Sequence, residues 1–153
     1  MADFPDVTNS LNLYKRAEKL IPGRTQLISR RASQFASGIN PVYADHAKGS
    51  RFVDVDGNEY IDWVNAVGAV ILGHADDVVD QAVKTQIDKG SLYTLNGPLE
   101  IELAEELVDT IPSAEMVRYT KAGGEACAVA ARIARGTTGK EIILFCGYHG
   151  WHD

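Results

Sequence analysis

The stretch from Glu115 to Cys146 limits the possible folds more than any other part of the chain. Met116-Val117-Arg118-Tyr119-Thr120 reads as a strand, Ala122-Gly123-Gly124 as a tight turn, Glu125 to Arg135 as an alanine-rich helix, and Glu141 to Cys146 as a second strand. A strand that returns through a helix to another strand is a β-α-β unit, and it predicts the α/β class. Two consecutive glycines between strand and helix bring unpaired backbone N–H groups and the positive end of the helix dipole to one point, an anion cradle. Glycine suits that position because a Cβ would hold ligand oxygens off the backbone. A ligand-free tight turn has the same sequence signature, so the pair alone does not assign a ligand. Gly136-Thr137-Thr138-Gly139-Lys140 imitates part of a P-loop but follows a helix and precedes a strand, so it reads as a helix C-terminal turn.

Upstream, Leu11, Leu13, Tyr14, Ala17, Leu20 and Ile21 recur at helical spacing, predicting a helix over Ser10–Ile21 that Pro22-Gly23 stops. Arg24 to Gly38 has no clean period and reads as a basic loop or arm. Phe52 to Val55 and Asn58 to Trp63, with Asp56-Gly57 between them, predict a β-hairpin. Asp54, Asp56 and Asn58 have the spacing of a calcium loop, but Tyr60 stands where the turn glycine belongs and no helical flanks are evident. Asp76 predicts a capped helix running to Lys89-Gly90, and Gly97-Pro98 opens another that ends before Pro112. A gentle domain boundary is expected near Gly73-His74, dividing 1–73 from 74–153.

A chain of 153 residues with 45% hydrophobic content can bury a core. The net charge of -6, with scattered acids and no basic face, argues against nucleic acid as a partner. Apolar runs are short, so no membrane span is expected, and residues Met1 to Asn12 lack an apolar signal core; the expected location is cytoplasmic. Cys127 and Cys146, without further thiols, read as buried free thiols. Tyr148-His149-Gly150-Trp151-His152-Asp153 follows the second strand, where ligands of open α/β sheets gather, and the chain stops inside that cluster, where domains seldom end. His149, His152 and Asp153 are competent metal ligands, which keeps a small metal-dependent hydrolase among the alternatives, but their spacing matches no metal-hydrolase pattern and no metal is expected.

Lys48-Gly49 through Val53-Asp54-Val55-Asp56-Gly57-Asn58-Glu59-Tyr60-Ile61-Asp62, then Ile71-Leu72-Gly73-His74-Ala75, then Gly123 with Glu125-Ala126, and finally Tyr148-His149-Gly150 resemble, in order and at matching separations, the class III aminotransferases, close to the glutamate-1-semialdehyde aminomutases. The resemblance implies an incomplete fold-type I α/β enzyme, in which an N-terminal helix and β-hairpin of the small domain precede the first β-α-β unit of the large domain. It implies pyridoxal 5'-phosphate (PLP) as cofactor, an amino donor and a carbonyl acceptor as substrates, and a homodimer. Ala122, Gly123 and Gly124 match the turn that binds the cofactor phosphate. Tyr148 matches the aromatic that stacks on the pyridine ring, with His149 beside it.

Arg30 falls where aminomutase-like members carry an arginine that grips the substrate carboxylate, a task suited to a planar bidentate donor; a solvated arginine of the arm is the competing reading. Val67 falls near the substrate. The sequence departs from the family at Ala122-Gly123-Gly124, where relatives usually have Ser-Gly-Thr, so no hydroxyl flanks the turn. None of Lys15, Lys19, Lys48, Lys84, Lys89, Lys121 or Lys140 matches the family's catalytic lysine. No catalytic residue is therefore expected in this chain, which alone should be inactive, with a non-catalytic dimer partner as the alternative.

Overall fold

The computed structural model describes residues 4–147. The chain divides into two compact units, Met1–Ser91 and Leu92–Asp153.

The first unit opens with α1 (Thr8–Ala17), which begins two residues before the predicted start and ends four before the predicted stop. The early start has a remote cause: the carboxylate of Asp56 accepts from the backbone N–H groups of Asn9 at 2.7 Å and Ser10 at 2.9 Å. A carboxylate there satisfies orphan donors and complements the helix dipole. Beyond Ala17 the chain turns, and Pro22–Arg24 forms one turn of 3-10 helix. The expected arm carries two further 3-10 turns, Ile28–Arg30 and Ala32–Gln34.

Three antiparallel strands follow in the order β1 (Ala44–Lys48), β2 (Arg51–Asp54) and β3 (Glu59–Ile61). The predicted hairpin is β2–β3, with Phe52 opposite Tyr60 and their rings stacked at 5.1 Å. Gly57 turns it with φ +89°. Asp54, 1% exposed, is the pivot of the turn. It accepts from the backbone of Asp56 and Asn58, from the Asn58 amide and from the Tyr60 hydroxyl. The spacing that imitates a calcium loop thus has a different use: Asp54 and Asp56 spend their oxygens on N–H and O–H donors. Ser10 is fully buried and joins α1 to the chain entering β1, its hydroxyl accepting from Val42 and Tyr43 N–H at 2.7 and 3.0 Å.

After β3 comes α2 (Asn65–Gly68), a turn rather than a regular helix, with φ of +51°, +49°, +60° and +83° at its four residues. Next, α3 (Asp77–Lys89) starts as predicted, with Asp76 accepting from Val78 and Val79 N–H, both at 3.0 Å, and stops at Gly90.

The second unit contains α4 (Pro98–Thr110) and α5 (Gly123–Thr138). In α4 the Glu100 side chain reaches back to the Gly97 N–H at 3.0 Å and Pro98 occupies the first turn. α5 is longer than predicted at both ends and terminates on left-handed Gly139, so the P-loop-like string is a helix end. The segments 116–120 and 141–146 flank α5 as expected but form no ladder among the described residues. A strand exists only through a ladder of hydrogen bonds to its neighbour.

Among the described residues, buried apolar side chains are confined to Val7 and Ala17, and no residue of α3 or α4 is buried. The apolar faces predicted from periodicity are present but uncovered. Cys127 and Cys146 are accordingly exposed, not buried. No helix among the described residues is long and apolar enough to cross a membrane.

Candidate functional site

Ala122, Gly123 and Gly124 form the N-terminus of α5. Ala122 is extended at φ -144°, ψ 156° and offers no side-chain cap, and its carbonyl accepts the first helical bond, from Ala126 N–H at 3.1 Å. Helix geometry leaves the N–H groups of the first residues without an intrahelical acceptor. Those of Gly123, Gly124 and Glu125 have none among the described residues. Gly124 is buried, whereas a Cβ built on Gly123 would meet nothing within 4 Å. The space beside Gly123 is therefore open to a ligand.

Two neighbours that could have filled the turn are engaged elsewhere. The Thr120 hydroxyl donates to the Ala122 carbonyl at 3.2 Å, and the Glu125 carboxylate accepts from Lys121 N–H at 2.9 Å. The arrangement fits a phosphate: converging N–H donors, a helix dipole pointing the right way, no competing cap and open space in front. The donors are all backbone, so the missing hydroxyls remove hydrogen bonds to a charged group worth roughly 1.5–3 kcal/mol each without removing the cradle.

Arg30 and Val67 lie in the first unit. Arg30 closes a 3-10 turn, is exposed, and its guanidinium has no hydrogen bond or ion pair among the described residues. Arg24, by contrast, pairs with Glu18 and sits over the Tyr14 ring at 4.8 Å. Val67 is 71% exposed on the left-handed turn α2. A β-branched residue is an outlier there, and each such conformation costs on the order of 1–3 kcal/mol unless its surroundings enforce it.

The enforcing residues were quoted in the sequence pattern but given no role by it. Asp62 accepts through Oδ1 from Val64 and Asn65 N–H at 3.0 and 2.9 Å. Its Oδ2 lies 2.7 Å from Nε2 of His74, with both side chains mostly buried. The hydrogen bond to His74, and lesser ones from Asn65 and Val64, hold the Asp62 carboxyl below its ordinary pKa against the opposing effect of burial. Ionised, Asp62 can only accept, so His74 Nε2 carries the proton. His74 is itself fixed to the hairpin, exchanging backbone bonds with Gly49 at 2.8 and 2.9 Å. A pair twelve residues apart linked to four successive positive φ values has no periodicity to betray it.

Tyr148 and His149, together with the metal-ligand candidates His152 and Asp153, lie outside the described residues. Among the described residues no group of three or more His, Cys, Asp or Glu is arranged to hold a metal ion.

Comparison with known proteins agrees with this architecture. Residues 34–152 match the family model of aminotransferase class-III. The chain is 44% identical, over all of its length and 37% of the relative's, to a 3-aminobutyryl-CoA aminotransferase of Cloacimonas acidaminovorans (strain Evry). It is 47% identical to a glutamate-1-semialdehyde 2,1-aminomutase of Methanobrevibacter smithii over 94% of this chain and 33% of that one. A solved transaminase with PLP bound superposes with a TM-score of 0.86 at 32% identity, covering 97% of this chain and 34% of the other. The chain thus spans about a third of the length of the curated relatives it matches. Its described portion has the architecture of a partial α/β fold-type I domain, as in those transaminases. The chain belongs to the class-III aminotransferase family.

Proposed function

We propose that this chain supplies the phosphate end of a PLP site in an enzyme that moves an amino group between an amine donor and a carbonyl acceptor. The observation that carries the reading is the uncapped N-terminus of α5, where the N–H groups of Gly123, Gly124 and Glu125 have no acceptor among the described residues and the space beside Gly123 is open. Ala122, Gly123 and Gly124 hold the phosphate through backbone donors, and Tyr148 with His149 lies against the pyridine ring. When bound, the cofactor supplies an electron sink for breaking bonds at the amino-bearing carbon.

The remaining assignments are proposed from the resemblance to the family. Arg30, whose exposed guanidinium is uncommitted among the described residues, holds a substrate carboxylate. Val67 borders the substrate. The substrate is a small amino or keto carboxylate, or an amino aldehyde as for the aminomutase relatives. The assembled enzyme is a cytoplasmic homodimer, with residues 1–73 contributing to the small domain and 74–153 to the large one.

On the resemblance to the family, none of the seven lysines of this chain stands at its catalytic position. Lys48, for example, is engaged by Asp77 and by the Ala75 carbonyl at 2.6 Å. The 153-residue chain is therefore proposed to bind cofactor without turnover. Incubation with PLP followed by borohydride tests this: the expected result is reversible binding and no stoichiometric covalent fixation on this chain. One equivalent fixed on any of its lysines, or transamination by the chain alone, contradicts it.

A further inference from the structure

Four consecutive residues with positive φ, one of them a valine, do not persist without restraint. In α2 the restraint can be traced atom by atom. Asp62 holds the N–H groups of Val64 and Asn65, which lead into the turn, and His74 holds Asp62 from the far side. His74 is anchored to the β1–β2 turn through its paired bonds with Gly49. Gly73 beside it crosses Gly49 so closely that a Cβ would stand 3.2 Å from the Gly49 backbone. One side of the loop is thus locked to the hairpin. Within and beside the loop, Val67, Ile71 and Trp63 are bare apolar side chains, 71%, 82% and 89% exposed.

We propose that the Asp62–His74 pair is a positioning device that keeps residues 65–68 in their left-handed path and thereby sets the size of the substrate pocket at Val67. The inference rests on the reading of Val67 as a residue beside the substrate. Neither Asp62 nor His74 is assigned contact with substrate or cofactor. They act through the backbone: release of the clamp lets Asn65, Ala66 and Val67 relax to ordinary negative φ and moves the Val67 side chain out of register.

Two measurements test this. In the 153-residue chain, the φ-sensitive backbone couplings of Ala66 and Val67 report the left-handed path directly. They are expected to change in His74→Ala and Asp62→Ala but not in His74→Gln, whose amide nitrogen can still donate to Asp62. In the full-length holoenzyme, dissociation constants for propanoate and hexanoate, followed by cofactor absorbance, report pocket size. Their ratio is expected to shift about tenfold in His74→Ala and in Val67→Ala, and to stay within about twofold of wild type in His74→Gln.

Asp62→Asn, which keeps the shape and weakens the charged bond, gives an intermediate shift and serves if the alanine variants fold poorly. A changed ratio in Val67→Ala with an unchanged ratio in His74→Ala and Asp62→Asn overturns the clamp while leaving Val67 at the substrate. An unchanged ratio in Val67→Ala shows instead that the loop does not face the substrate, and the proposal falls with that reading. Couplings that stay left-handed in both alanine variants overturn it on structural grounds alone.

Discussion

The residue that organises the first unit is Asp54. Burial pushes its carboxyl up, but the side chain and backbone of Asn58, the Asp56 N–H and the Tyr60 hydroxyl together outweigh that effect and hold it below its ordinary value. Tyr60 responds oppositely: burial, the bond to Asp54 and the charges of Asp54 and Asp56 push it up to about 12. The two shifts have opposite consequences for stability. Asp54 contributes stability that is present above its unfolded pKa, about 4, and is lost as pH falls through its lower folded value. Tyr60 contributes stability that is present below about pH 10 and is lost as pH rises toward about 12. Urea unfolding of the first unit as a function of pH checks both arms. In Tyr60→Phe the alkaline decline attributable to this hydroxyl disappears, while neutral-pH stability falls by roughly 1.5–3 kcal/mol for the lost bond to a charged acceptor.

At the scale of elements, what the sequence revealed depended on whether the determinant was local. Asp76 capping α3, Pro98 opening α4 and Asp56-Gly57 turning the hairpin each act within a few residues, and each appeared where it was expected. β1 was missed because Ala44-Asp45-His46-Ala47-Lys48 has no apolar alternation and is a strand only through its pairing with β2. The start of α1 moved because its partner, Asp56, is about 47 residues away. The glycine pair that opens α5 was legible as a turn before a helix, whereas the left-handed turn at Val67 was not, since Asp62 and His74 meet only through the folded hairpin. The same crossing makes a prediction about an element. Gly73 has φ +93° and its added Cβ would lie 3.2 Å from the Gly49 backbone, so Gly73→Ala is strained and obliges that backbone to give way. The variant is expected to lose on the order of 2 kcal/mol or more and to separate residues 73–77 from the hairpin. Faster hydrogen exchange at Gly49 and His74 amides would register that, and wild-type protection in the variant would refute it.

On the scale of the whole molecule, the α/β class was correct, whereas the core that length and hydrophobic content allow is small among the described residues, with Val7 and Ala17 its buried apolar side chains. The apolar stripes of α4 and α5 and the extended segments beside them stay uncovered among the described residues, with Met116 and Leu144 each 93% exposed. Apolar faces of this kind are normally covered by another layer, which accords with a chain that spans about a third of its relatives' length. What we propose this portion contributes is the α5 N-terminus as a phosphate site. The direct test is an amide-resolved titration of the chain with PLP, inorganic phosphate and pyridoxal, repeated on Gly123→Ala, a substitution that meets no atom within 4 Å. PLP and phosphate, but not pyridoxal, are expected to move the Gly123, Gly124 and Glu125 amides most, with binding weakened in the folded Gly123→Ala variant. Equal responses to pyridoxal, or phosphate-dependent shifts that leave those three amides still, would contradict the account.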